Sequence, residues 1–335
     1  MNRKKILDIL SAVLLEKADS LESEGLYNGL TGICLFLYEY SQACGQAEAE
    51  KKADALIERC WNNLSPDGSA NFYEGKAGII WGIEWLRQQG MLEWDITEPD
   101  INETDSIVIR QKYYTPVQID VESDLFSAGF YLFGRYKAYQ AFNEKNRNEN
   151  TWLYEQFLRE HLIYLIEECE RIVFNRAYMQ SLLLPRPSSQ MLCSIFYFIT
   201  LAHQERIFPH KTAKIRDSFP DILHQVPVND ITDWATLRCL CGPAYKIAIP
   251  ELSPGIDPEA MSCWIAKAGF HSLLYNDIKI FDTVIDYLSR EKKNEWRRAL
   301  DRLLETPQSY PPGMIGLAGW GHGLLHSTCL SKNHK

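Results

Sequence analysis

The sequence predicts an all-α chain in which amphipathic outer helices alternate with enclosed apolar ones and close into a ring. Three observations carry this. A glycine phrase recurs, as LYNGLTGICLFLY at 26–38, FYEGKAGIIWGI at 72–83 and GMIGLAGWGHGLL at 313–325. Each copy contains Gly-x-x-Gly and opens an apolar segment, and the first two lie 75 − 29 = 46 positions apart, a period typical of stacked helix pairs. Glycine there lets a loop turn sharply into a helix and lets backbones approach closely. Helical periodicity then dominates between the copies, and strand signals are sparse.

Taken in order, Ile6, Leu10, Val13, Leu14 and Leu21 fall on one face, which makes 3–23 an outer helix. Residues 30–44 are apolar on nearly all sides, as an enclosed helix would be. Ala53, Leu56, Ile57, Cys60 and Trp61 form the next outer face, and Gly75–Leu86 its enclosed partner. The acidic stretch 95–123 reads as a loop, within which Ile107-Val108-Ile109 and Thr115–Ile119 fit a short hairpin near 107–119. Asp124–Gly129 opens another apolar helix. Trp152–Phe174 is outer, and Met191–Ala202, preceded by Leu184–Ser189, is enclosed. Cys239–Ala244 precedes Tyr245–Ile249, and Ala266–Gly269 precedes Phe270, as weaker copies of the phrase. Asp257-Pro258-Glu259 has the form of an N-cap, a first-turn proline and a first-turn acid. Phe281–Leu304 is outer and Leu317–Leu325 closes the series. That is about seven copies, and with no Gly/Ser linker the expectation is one domain over 1–335.

Composition narrows the function. The chain has 335 residues, 46% of them apolar, and nine tryptophans, enough for a sizeable core. A formal charge of −9 argues against nucleic acid or an anionic membrane surface as partner. The most apolar run, Leu192–Ala202, is too short to cross a bilayer, and no signal peptide is apparent. Nine cysteines, odd in number and without framework spacing, fit a reducing cytoplasm.

The Gly-x-x-Gly series, ending in Gly-Leu-Ala-Gly-Trp-Gly-His-Gly-Leu-Leu, resembles the lanthionine synthetase C-like family over nearly the whole chain. The resemblance implies an α/α toroid, a double-layered barrel of about six to seven helix pairs. It also implies one zinc ion at the mouth, where a substrate thiolate adds to a dehydroalanine or dehydrobutyrine to form a thioether. Zinc serves because a free thiol is mostly protonated at neutral pH and coordination removes its proton. The family's ligands are Cys, Cys and His, with the fourth position open. Arg238-Cys239-Leu240-Cys241-Gly242-Pro243-Ala244 aligns with the first ligand phrase and puts Cys239 at its cysteine. Trp264-Ile265-Ala266-Lys267-Ala268-Gly269 aligns with the phrase that holds the other two, where tryptophan and isoleucine cannot ligate. Asp124 matches the family's acidic position, while Arg186 stands where a histidine is thought to move protons, a role guanidinium cannot fill near neutral pH.

The expectation is therefore a family member without the zinc site and with no cofactor, one that binds a peptide or a peptide-modifying enzyme. Asp124, Arg186 and Arg238 are its candidate binding residues, since a guanidinium fork suits carboxylates. The alternatives are a thioether cyclase with a rearranged zinc site drawn from Cys239, Cys241 and His322, and a carbohydrate-active toroid using acids such as Glu74 and Asp124. His322 and His326 are four apart, on one helical face. Packed thiols and hydrogen-bonded histidines outweigh ligation in this reading, because no zinc-type spacing is intact.

Overall fold

The glycine phrases mark helix starts for a physical reason. In the computed structural model, which describes residues 3–64, 69–93, 95, 97, 99–114, 124–146, 148–175, 188–223, 228, 230–242, 247, 249–250 and 257–328, Gly29 and Gly75 occupy the same backbone state (φ −113°, ψ −169° and φ −118°, ψ −168°). These angles are open to any residue. What requires glycine is the preceding loop, which folds back so closely that a Cβ would strike backbone of Ser23 and Gly25 in one copy and of Ser69 and Asn71 in the other. The loop thereby satisfies the first amide of each helix, which has no intrahelical partner. Leu30 N donates to Ser23 O at 2.9 Å, and Lys76 N to Ser69 O at 2.9 Å. The sequence repeat is thus a repeated capping device.

Two compact units form. The first comprises Met1–Gly68, Asn229–Pro243 and Ala248–Lys335, the second Ser69–Val228 and Ala244–Ile247. In the first unit, α1 (Arg3–Ser20) buries one stripe and α2 (Leu30–Cys44) is buried continuously from Leu30 to Ser41. The amphipathic α3 (Ala47–Asn62) packs on α2. The α11 helix (Ile231–Cys241), α12 (Pro258–Leu274), α13 (Lys279–Glu291), α14 (Lys293–Glu305) and α15 (Leu317–His326) complete the unit. Helix α15 lies against α1, α2 and α12. In the second unit, α6 (Asp124–Asn146) packs against α4 (Lys76–Gln88), α5 (Pro99–Tyr114), α7 (Glu149–Phe174) and α8 (Ser189–Gln204), with α9 (Pro209–Asp217) and α10 (Phe219–Leu223) following. The described residues contain no strand.

Four sequence expectations need correction. Residues 99–114 are helix, where a loop and the first arm of a hairpin were expected. Ile101, Thr104, Asp105 and Val108 turn inward at helical spacing, but two of them are polar, so the stripe is hidden from an apolar count. Residues 115–119 lie outside the described residues. Cys239-Leu240-Cys241 ends α11 and does not open a helix. Asp230 caps that helix, its carboxylate accepting from Thr232 N at 2.6 Å and Asp233 N at 3.2 Å, and Gly242 closes it. Residues 247 and 249 are not helical. Ala266–Gly269 is the middle of α12, which starts at Pro258 after the Asp257 cap, the N-cap pattern seen in the sequence. Finally, 281–304 is two helices. The apolar stripe ending at Leu288 would continue through Lys292 and Glu295, so the chain breaks at Lys292 and re-aims its next face through Trp296, Ala299, Leu300 and Leu303.

Candidate functional site

One acid interrupts the enclosed run of α2, Glu39, and a buried carboxylate must be paired. Its partners come from α15. The i, i+4 spacing of His322 and His326 places both rings on one face, their centroids 4.8 Å apart. Close packing brings that face to Glu39, because Gly321 lets the ring of Phe36, one turn before Glu39, lie directly on the α15 backbone. A Cβ at Gly321 would collide with that ring, as one at Gly323 would with Phe281. His322 Nδ1 lies 2.7 Å from Glu39 Oε2 and 3.0 Å from Oε1, and His326 Nε2 lies 2.9 Å from Oε1. The Glu39 and His322 side chains are 4% and 8% exposed, that of His326 48%, so the cluster is closed below and open on one side.

Burial pushes the Glu39 carboxyl up, but the charge and hydrogen bond of His322, with the bond from His326, more than offset it and hold the group down at about 2. The hydrogen bond to Glu39 also raises His326. An ionised carboxylate only accepts, so His322 Nδ1 and His326 Nε2 each present a proton to it. Arg3 donates to the carbonyls of Leu325 and Ser327 and so fixes the end of α15 beside the cluster.

The residues expected from sequence are distributed differently. Arg186 lies outside the described residues, and Asp124 opens α6 with its side chain outside them. Arg238 is exposed on α11, its guanidinium 5.2 Å over the ring of Trp234. Cys239 is half-buried with Sγ 3.7 Å from Thr283 Oγ1, and burial raises its thiol. Burial pushes the Cys241 thiol up to about 12. Where the resemblance implied the second and third zinc ligands, Ile265 is fully buried and the Trp264 carbonyl accepts from Thr232 Oγ1 at 3.0 Å. Beside them Lys267 Nζ binds Asp230 Oδ2 at 3.0 Å and Asp233 Oδ1 at 2.9 Å. His271 Nδ1 meets Thr236 Oγ1 at 2.9 Å, and burial, with the Lys267 charge, lowers its pKa to about 3. These residues do not fit the family's zinc. The donors are two hard-to-ionise thiols, and an ammonium lies close to where ligands would be needed.

Among the described residues, the one group of three metal-ligand side chains that converges is Glu39, His322 and His326. Cys239 and Cys241 do not join it. The sequence drew attention to both histidines through their spacing but missed Glu39, whose only signal was a lone acid in an apolar helix.

Helices that alternate between half-buried and enclosed, with α2, α4 and α15 each entered through a glycine at the cap, define a class of all-α repeat protein. A model of the lanthionine synthetase C-like protein family matches residues 20–160, and this match supports membership of that family. Its all-helical described residues agree with the family's fold class, the α/α toroid. The match contains the first two glycine phrases and Glu39 and ends before Arg186, Cys239 and His322. No curated protein matches the chain. No helix of the described residues is long and apolar enough to cross a membrane.

Proposed function

We propose that this lanthionine synthetase C-like chain serves modified-peptide biosynthesis in the cytoplasm by binding a peptide, or a peptide-modifying enzyme, without forming thioethers itself. The observation that carries this reading is Trp264 and Ile265 in the middle of α12, Ile265 fully buried and the Trp264 carbonyl bonded to Thr232, where the family's Cys-His pair would be needed. Without those ligands no zinc at the family's position is there to ionise a substrate thiol. Asp124, Arg186 and Arg238 are the proposed binding residues. The exposure of Arg238 supports its part, since a guanidinium stacked on an indole is pre-organised to receive a carboxylate.

A dehydrated, cysteine-containing peptide tests this. Incubation with the protein should leave the peptide's thiols fully alkylatable, while fluorescence anisotropy detects binding that Arg238→Glu weakens by roughly tenfold, the effect of losing about 1.4 kcal/mol. Protein-dependent loss of thiols would overturn the non-catalytic reading. Binding unchanged in Arg238→Glu would remove that residue from the site.

A further inference from the structure

We propose that Glu39, His322 and His326 form a binding site for one divalent transition-metal ion of the zinc type, distinct from the position of the family's zinc. The donor set is a carboxylate oxygen and two imidazole nitrogens, a combination that suits zinc and its neighbours and leaves coordination positions open. The three ligand atoms lie within 4.8 Å of one another. Zinc bonds to such atoms at about 2.0–2.2 Å, so tetrahedral ligands stand roughly 3.4 Å apart. The carboxylate–imidazole separations of 2.7–3.0 Å need to open by about 0.4–0.7 Å to reach that spacing. His326, half-exposed on the last turn of α15, can give that distance.

The surroundings are arranged as a metal site requires. Glu39 brings a full negative charge into an apolar enclosure, and neutral imidazoles leave it uncompensated unless a cation or protons reside there. The ring nitrogens that now donate to Glu39 are the ones a metal would take. Their protons would pass to the opposite ring nitrogen, or to solvent from a charged ring. Two ligands stand on one helix turn and the third on a neighbouring helix, with both backbones pinned by the Gly321–Phe36 contact. The donors are therefore held before the ion arrives. Entry is from the His326 side. The open positions there would carry water or a hard donor from a ligand, which gives this chain Lewis-acid capacity independent of any cysteine.

The experiment is zinc titration of chelator-stripped full-length protein, followed by dialysis and elemental analysis, with cobalt(II) as a spectroscopic probe. The expected result is one zinc retained per chain, a rise in thermal midpoint on loading, and cobalt spectra without a thiolate charge-transfer band. Because losing a group that only hydrogen-bonds to a metal ligand already costs about 10–100-fold in affinity, removing the ligand itself in His326→Ala should weaken binding at least about 100-fold. That residue is exposed enough for helicity to survive its loss. Glu39→Gln should do the same where it folds, while Cys239→Ser/Cys241→Ser should bind normally. No retained zinc in folded wild-type protein overturns the proposal. So does retention that His326→Ala leaves unchanged, or that disappears in the double cysteine variant. The readout is metal content, so it stands or falls separately from the peptide-binding reading.

Discussion

His271 illustrates how much one side chain can report about the interior around it. It is held uncharged by burial and by the ammonium of Lys267, with a folded-state pKa of about 3 against an ordinary 6.5. The unfolded chain takes up this proton as pH falls through 6.5, and the folded chain does not. Stability contributed by neutral His271 is therefore present above pH 6.5 and is lost progressively as pH falls toward 3, by up to about 1.4 kcal/mol per pH unit. Glu39 acts in the same direction but lower, between its ordinary 4.5 and about 2. Urea midpoints measured across the acid range should thus begin to drop near pH 6.5, and His271→Gln should flatten the upper part of that decline. A decline that starts only below 4.5 in the wild type would mean His271 is not buried neutral. Its role depends on Lys267 and Thr236, 4 and 35 positions away, and side-chain partners at such separations leave no local pattern. Glu39 was hidden in another way, because apolar periodicity describes its neighbours and says nothing of the single residue that departs from them.

At the scale of elements, the helices whose starts are capped and whose buried stripes are mostly apolar were legible. The α2, α4, α8 and α15 helices all follow this rule. Helix α5 does not, and the reason is the ion pair that replaces apolar contacts on its inner face. Asp105 and Arg135 are 0% and 2% exposed and lie 3.1 Å apart, with Tyr154 Oη donating to Asp105 at 2.8 Å. This pair joins α5, α6 and α7. Removing one partner leaves a buried uncompensated charge, so Asp105→Ala should cost about 3–5 kcal/mol. Replacing both, as Asp105→Leu/Arg135→Met, should recover most of that loss. Equal destabilisation of the single and double variants in urea melts would show that the pair itself, and not the stranded charge, stabilises this packing. The fifth and sixth glycine copies failed for a related reason. Capping by Asp230 and Asp257 fixes where α11 and α12 begin, and this outweighs a resemblance of phrases further along.

Across the whole molecule, the first unit gathers early and late segments of the chain, while the second is nearly continuous in sequence. The expectation of a series of alternating outer and enclosed helices captured the class of fold, since each helix pair announces itself by its own periodicity. The arrangement makes α15 indispensable to the first unit, because it covers α1, α2 and α12 together. Ending the chain after residue 316 should expose those faces and abolish the cooperative unfolding of that unit. Far-ultraviolet circular dichroism and urea titration of the shortened protein would register this, and an unchanged cooperative transition would show that α15 is dispensable.

The contact between Glu39 and His322 spans 283 positions. At a synthesis rate of about 5–20 residues per second, roughly 15–60 s separate the translation of the two residues. Throughout that interval α2, with its broad apolar surface and one acid still without its histidine partners, has left or is leaving the ribosome without α15 to cover it. The nascent chain is thus exposed to aggregation and to holding by chaperones until its final helix emerges, and codon changes that slow the last third of the message should lower soluble yield more than the same changes elsewhere.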